Sequence, residues 1–441
     1  MKFSMFNITT KDRKGNLLLV NPLSNSFFRI SVPHCHSEEE LANALYNSDY
    51  QEGMISTGVL VEDSVDYRTI INKMYDNFVV CRDRLDIVIL TTNACNFECV
   101  YCFQHKNKCR LSTSQYDVIL KFIEDRADQY RNVRIRWFGG EPLLELKEIC
   151  LFSEKLKKVC RDHKMSFGAS MTTNGYLLDY STFEQLYDCN VLSYQISLDG
   201  TPDSHNMTRP LKGGGESYER IIDNLKEIHK RAPYKMFNIV VRVNFTKELL
   251  EKVNALADYF RDTFEEDERF IFSFIPIFNW SNTEEDQDKA KCISGHLTSR
   301  QAVYEAMKDN AEILRFNVWT ELLLGNNNCW AGTKHGFAIN GDGTILKCDF
   351  KLEGFEDNIV GRINSKGYEF YSDKNKMWDF PKPLEECYHC KYFPLCLSTM
   401  CGASRVENCM ESKCRLQKEF VDNCLEIESY SKYNRFKDVI L

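Results

Sequence analysis

Residues 85–103 read LDIVILTTNACNFECVYCF, and the order of their parts decides how the chain folds. LDIVIL is a continuous apolar, β-branched run of strand length. It gives way at once to a polar turn carrying Cys95, Cys99 and Cys102 in C-x3-C-x2-C spacing. A strand that ends in a loop of thiols presents metal-ligating groups at its carboxyl end, where α/β folds collect their chemistry. With 19 cysteines in the chain, metal thiolates are a better reading than disulfides. The first twenty residues, MKFSMFNITTKDRKGNLLLV, interleave polar with apolar positions and do not read as a signal peptide.

Outward from this stretch the pattern repeats. Strand-like runs fall at 133–138 (VRIRWF), 168–173 (GASMTT), 192–198 (LSYQISL), 238–245 (NIVVRVNF) and 269–277 (RFIFSFIPI), with amphipathic helical segments between them and another at 299–314. Six such units joined by right-handed crossovers predict an α/β fold, a partial (β/α)6 TIM-like barrel over 81–320. An open doubly wound sheet is the alternative. Residues 1–80 hold three strand-like runs and a helix capped by Ser37, a small α+β module. A polar, acidic stretch at 281–295 reads as a surface loop. From 321 to 441 the apolar periodicity thins and cysteines accumulate, so this segment needs cross-links or metal to order it.

Composition narrows the partners. The 441 residues are 43% hydrophobic with a net charge of −8, which supplies a large core and argues against nucleic acid or an anionic membrane as partner. No apolar run approaches the roughly eighteen residues of a membrane span. The expected location is the cytoplasm.

Three thiolates can hold three irons of a [4Fe–4S] cube and leave the fourth iron open to a small ligand. A zinc site is the competing reading, but structural zinc takes four ligands, and no fourth Cys or His stands at zinc-finger spacing. The C-x3-C-x2-C motif followed by Phe103 resembles the radical S-adenosylmethionine (radical SAM) superfamily. The resemblance continues through Gly139-Gly140-Glu141-Pro142, Thr173-Asn174-Gly175 and Ser197-Leu198-Asp199-Gly200, each at a strand's end. It implies Cys95, Cys99 and Cys102 as ligands of the catalytic cluster and Tyr101, Gly139, Gly140 and Glu141 as part of the S-adenosylmethionine site. The Glu141 carboxylate and its glycines would meet the methionine ammonium group. Thr173, Asn174, Ser197, Asp199 and Arg209 would hold ribose and carboxylate, joined by Arg242 and Asn244, which alternate on one face of the fifth strand.

Cys329, Gly343 and Cys348, then Cys387, Cys390, Cys396 and Cys401, then Cys414, are similar to the SPASM extension of that superfamily. The similarity implies two auxiliary [4Fe–4S] clusters, one on Cys387, Cys390, Cys396 and Cys414, the other on Cys329, Cys348 and Cys401. Cys409 competes with Cys414, and the gap before Cys401 is one residue longer than usual. His335 is a candidate fourth ligand of the second cluster, weighed against an ordinary packed histidine.

Residues 1–80 resemble small leader-recognition domains. The whole implies a radical SAM oxidoreductase that modifies a ribosomally made precursor peptide with a leader. It would abstract hydrogen through a 5′-deoxyadenosyl radical and close a thioether or carbon–carbon cross-link, with a reductant such as flavodoxin or ferredoxin. The alternatives are an anaerobic sulfatase-maturating, formylglycine-forming enzyme, then a peptide epimerase. A zinc-stabilised binding or scaffold protein is the alternative from another class.

Overall fold

The computed structural model describes residues 1–31, 37–80, 83–245, 252–264, 267–276, 329–352, 354–397, 402–406, 418–430 and 436–440. The helix expected at 299–314, the loop at 281–295, and Cys401, Cys409 and Cys414 lie outside them. The described residues fall into two units, one drawn from 1–81, 329 and 380–441, the other from 82–310 and 330–379.

All six expected barrel strands form. β1 (Arg84–Leu90), β2 (Asn132–Phe138), β3 (Ser166–Thr173), β4 (Val191–Ser197), β5 (Asn238–Phe245) and β6 (Phe270–Pro276) pair in parallel in chain order. This is the α/β partial-barrel arrangement. The register sets Leu90 beside Phe138 and Arg136 beside Ser170. Alternation along β2 sends Val133, Ile135 and Trp137 to one face, where Trp137 meets Phe152 of the helix Leu146–Asp162 edge-on at 5.5 Å. Burying each such side chain stabilises the layer by about 1.5–3 kcal/mol. Arg134, Arg136 and Phe138 therefore point to the opposite, interior face. The helix Thr113–Glu124 starts sharply because Ser112 and Gln115 form a capping box.

The sheet does not stop at β1. β7 (Gly336–Ile339) adds to β1 in parallel, and β8 (Thr344–Leu346), β9 (Ile359–Asn364) and β10 (Gly367–Phe370) follow as an antiparallel meander. Residues 330–379, from the segment expected over 321–441, group with the barrel sheet. Apolar packing explains this, since Ala338 and Leu346 share one cluster with Val88 and Leu90. His335 lies at the amino end of β7, with its Nδ1 3.1 Å from the Tyr130 hydroxyl.

In the other unit, Ile8–Lys11, Leu17–Asn21 and Ser26–Ser31 form an antiparallel sheet, and Lys437–Ile440 joins it parallel to Ser26–Ser31. Ser37 caps the helix Glu38–Tyr46 by accepting from Glu40 N, as the sequence predicts. A second core of Phe6, Ile71, Tyr75 and Phe393 has Cys329, Cys387 and Cys390 packed at its edge. Among the described residues no helix is long and apolar enough to cross a membrane.

Candidate active site at the strand ends

The thiol loop is held on three sides by backbone. At its base Leu111 N donates to Thr91 O (3.1 Å) and Asn93 N to Cys109 O (2.9 Å). Residues 208–212 clamp its outer part: Val100 N donates to Thr208 O (3.0 Å), Glu98 N to Pro210 O (2.9 Å), and Lys212 N to Asn96 O (2.8 Å). The Gly139-Gly140 turn supports it from the end of β2. Gly140 N donates to Thr92 O and Glu141 N to Ala94 O, both at 2.9 Å. A Cβ on Gly140 would stand 2.2 Å from Ala94 O, and one on Gly139, whose φ is +125°, 2.4 Å from Thr92 O. Only glycine lets the loop approach this closely.

Glu141 follows the two glycines. Its carboxylate is fully buried and accepts from Thr173 Oγ1 (2.6 Å), Asn174 N (2.8 Å) and Leu143 N (3.1 Å). It ties the ends of β2 and β3 together. Burial pushes its pKa up, against the pull of these three donors.

A cavity of about 220 Å³ opens over the strand ends. Cys95, Cys99 and Cys102 line it with Tyr101, Gly139 and Gly140. Thr173, Asn174 and Ser197 line it from β3 and β4, and Arg209, Arg242 and Asn244 from the far wall. Of the residues expected at the cofactor site, Glu141 and Asp199 alone do not reach this surface. Asp199 is buried below it and accepts from the Tyr101 hydroxyl, Asn244 Nδ2 (2.9 Å) and Thr208 Oγ1 (3.0 Å). Arg209 Nη1 donates to the same Tyr101 oxygen at 2.8 Å. Arg209 Nε is buried with no hydrogen-bond partner among the described residues.

The donor set suits an iron–sulfur cluster. All three loop cysteines are free thiols. Burial raises Cys95 to about 11 and also raises Cys99, so cluster uptake must displace their protons. Phe97 N donates to Cys95 Sγ at 3.4 Å, a contact that favours the thiolate. Among the described residues no three His, Cys, Asp or Glu side chains converge on one point. The thiols share the cavity wall without closing around a centre.

His205 is a buried spacer between Asp199 and Arg209. Its Nδ1 accepts from Asp199 N (3.1 Å), and its Nε2 is 3.1 Å from Ser217 Oγ, which donates to Arg209 O. Burial, then the Arg209 charge, depresses its pKa from 6.5 to about 2. Between those values the unfolded chain binds the proton and the folded chain does not. Stability is therefore present above 6.5 and lost as pH falls, by up to about 1.4 kcal/mol per pH unit. Thermal midpoints at pH 7 and pH 5 should differ less in His205→Gln than in the parent; an unchanged pH slope would refute this account.

Several lining residues carry no motif. Arg136, Thr172 and Gln195 reach the cavity from interior positions of β2, β3 and β4, and Asp349 and Phe350 follow Cys348. Arg136 pairs with Asp349, and Phe350 stacks on Phe103 at 5.5 Å. Strand alternation was the signal for Arg136, since it faces away from Trp137. Asn358, fully buried, holds the Cys348 turn by accepting from Lys347 N and Cys348 N and donating to Cys348 O. Nothing in the sequence marks it.

Residues 89–257 match the radical SAM superfamily. A cysteine-type anaerobic sulfatase-maturating enzyme of Clostridium perfringens (strain 13 / Type A) is 26% identical over 361 residues, covering 75% of this chain and 93% of the relative. The solved structure of native anSMEcpe with bound AdoMet superposes with a TM-score of 0.54 at 20% identity, over 78% of this chain and 96% of that one. A further structure, native anSMEcpe with bound AdoMet and Cp18Cys peptide, gives a TM-score of 0.51 at 21% identity, over 79% and 96%. Parallel strands in chain order, a thiol loop clamped at the end of the first of them, and the family match over the same residues identify this part of the chain as a radical SAM domain.

Proposed function

We propose that the protein is a radical SAM enzyme that modifies a peptide, with a [4Fe–4S] cluster on Cys95, Cys99 and Cys102 and S-adenosylmethionine in the cavity they line. The observation that carries this is the convergence on one cavity of the three thiols and polar side chains from the ends of four successive strands. When bound, the cluster and S-adenosylmethionine supply radical hydrogen abstraction. The chain's part is to bind, orient and exclude water. Tyr101, Arg209 and Asn244 are locked on Asp199 and so offer a preset polar wall.

The product favoured by our reading is an intramolecular thioether or carbon–carbon cross-link in a leader-bearing precursor. Residues 1–80 would recognise the leader, 81–320 would perform the chemistry, and 321–441 would hold two auxiliary clusters on Cys329, Cys348, Cys387, Cys390, Cys396, Cys401 and Cys414. A flavodoxin or ferredoxin would supply the electron. The match to the Clostridium perfringens enzyme leaves a quarter of this chain uncovered, room for a function that relative lacks. The same match favours a second reading, formylglycine formation on a sulfatase.

Two measurements test the proposal. After anaerobic reconstitution with reductant, 5′-deoxyadenosine release in Cys99→Ala should fall to no more than about a thousandth of the parent; parent-level release would sink it. Intact mass of candidate peptides then separates the products. A cross-link removes two hydrogens and persists after thiol reduction, whereas formylglycine from cysteine also exchanges sulfur for oxygen.

A further inference from the structure

The cavity has a second polar surface that the cluster and cofactor motifs leave unused. Arg136, Thr172 and Gln195 come from neighbouring strands β2, β3 and β4 and line it side by side. Among the described residues, neither the Thr172 hydroxyl nor the Gln195 amide has a hydrogen-bond partner in the protein. Arg136 uses only Nη2, toward Asp349, so most of its fork of donors faces the cavity unspent. Asp349 is itself buried and fixes the guanidinium's orientation. The stacked Phe103 and Phe350 also line the cavity, adding an apolar surface to it.

Charge points the same way. Among the described residues, the lining carries Lys106, Arg136 and Arg209 against one carboxylate, Asp349. Arg209 is offset from below by Asp199. Before reduction, a [4Fe–4S]2+ cubane on three thiolates adds one negative charge and S-adenosylmethionine one net positive, so the two cancel. An excess of cationic donors remains, in a partly enclosed site where a pre-oriented guanidinium binds carboxylate in bidentate fashion.

We infer that Arg136, with Thr172 and Gln195 beside it, is a binding site for a carboxylate of the substrate, and that Arg136 selects peptides bearing one near the modified residue. The inference rests on the peptide-modifying reading above. The carboxylate is an acidic side chain or a free carboxyl terminus.

The test uses the full chain, reconstituted anaerobically and saturated with S-adenosylmethionine, and isothermal titration with short synthetic cysteine peptides. Three peptides differ only in charge: Asp beside the cysteine with an amidated terminus, Asn with a free terminus, and Asn with an amidated terminus. One of the first two should bind about tenfold more tightly than the third, and which one names the source of the carboxylate. Arg136→Gln should bring the ratio close to one, Arg136→Lys should keep part of it, and Asp349→Asn, which removes the negative charge that competes for the guanidinium, should increase it. Equal binding of all three peptides, binding of none, or a preference that survives Arg136→Gln overturns the inference. The heat of S-adenosylmethionine binding is read first. Its absence counts against the cofactor reading, whereas cofactor binding without charge discrimination defeats this inference alone.

Discussion

Gly140→Ala is expected to keep the barrel but lose the iron of the Cys95 loop. The added methyl would stand 2.2 Å from Ala94 O and 2.8 Å from Asn93 O, and both neighbours are backbone that cannot rotate aside. The loop must retreat, which breaks the bonds from Gly140 N to Thr92 O and from Glu141 N to Ala94 O. Each lost bond costs about 1 kcal/mol, and the forced shift adds about 1–3 kcal/mol. Displacement by even an ångström separates Cys95 from Cys99, whose backbone is pinned on the opposite side by residues 208–212. Iron content and 5′-deoxyadenosine release after reconstitution should therefore match those of Cys99→Ala, while far-ultraviolet circular dichroism stays at the parent level. Gly53→Ala is the control, because nothing lies within 4 Å of its added Cβ. Parent-level iron in Gly140→Ala would show that the loop tolerates the retreat.

The barrel was legible because runs of strand length alternate with segments that carry a stripe of apolar residues, and three of the strands close on the turn dipeptides Gly139-Gly140, Asn174-Gly175 and Asp199-Gly200. LDIVIL and NIVVRVNF fall within a residue of β1 and β5. β7 and β8 were not legible. GFAI and TIL are too short for periodicity to separate them from loop, and only their packing against Val88 and Leu90 makes them strands. The strand Lys437–Ile440 was equally hidden, since its partner Ser26–Ser31 lies some four hundred residues earlier. No local pattern records a pairing of that range.

The site was legible where chemistry forces a residue type and obscure where geometry decides. Three thiols at fixed spacing admit few readings. Glu141 was placed at the methionine ammonium group by the resemblance of Gly139-Gly140-Glu141 to the family's motif. In the fold the glycines serve the loop and the carboxylate serves Thr173 and Asn174. Arg136 stands inside the strand run VRIRWF and belongs to no motif. In a barrel the face opposite Trp137 is the interior, so the same residue lines the cavity.

Asp199→Asn is the substitution expected to cost most in stability. Asp199 is the carboxylate nearest the buried Arg209 in this network, and the two communicate through the Tyr101 hydroxyl, which donates to Asp199 and accepts from Arg209. Asparagine keeps the shape but removes the charge. It also turns one acceptor into a donor facing Thr208 Oγ1 and Tyr101 or, if flipped, Asn244 Nδ2. Arg209 would be left buried without its counter-charge, at a cost of about 3–5 kcal/mol. Arg209→Met in the same chain removes the stranded cation, so the double variant should lose about 1–3 kcal/mol less than the sum of the two single losses. Denaturant midpoints of the four proteins measure this coupling. Additive losses, or an Asp199→Asn cost below about 1 kcal/mol, would mean that solvent already screens the pair. S-adenosylmethionine affinity should fall in both single variants and stay low in the double. Restoring electrostatic balance repairs the fold, but it does not return the polar wall that Tyr101, Arg209 and Asn244 present to the cavity.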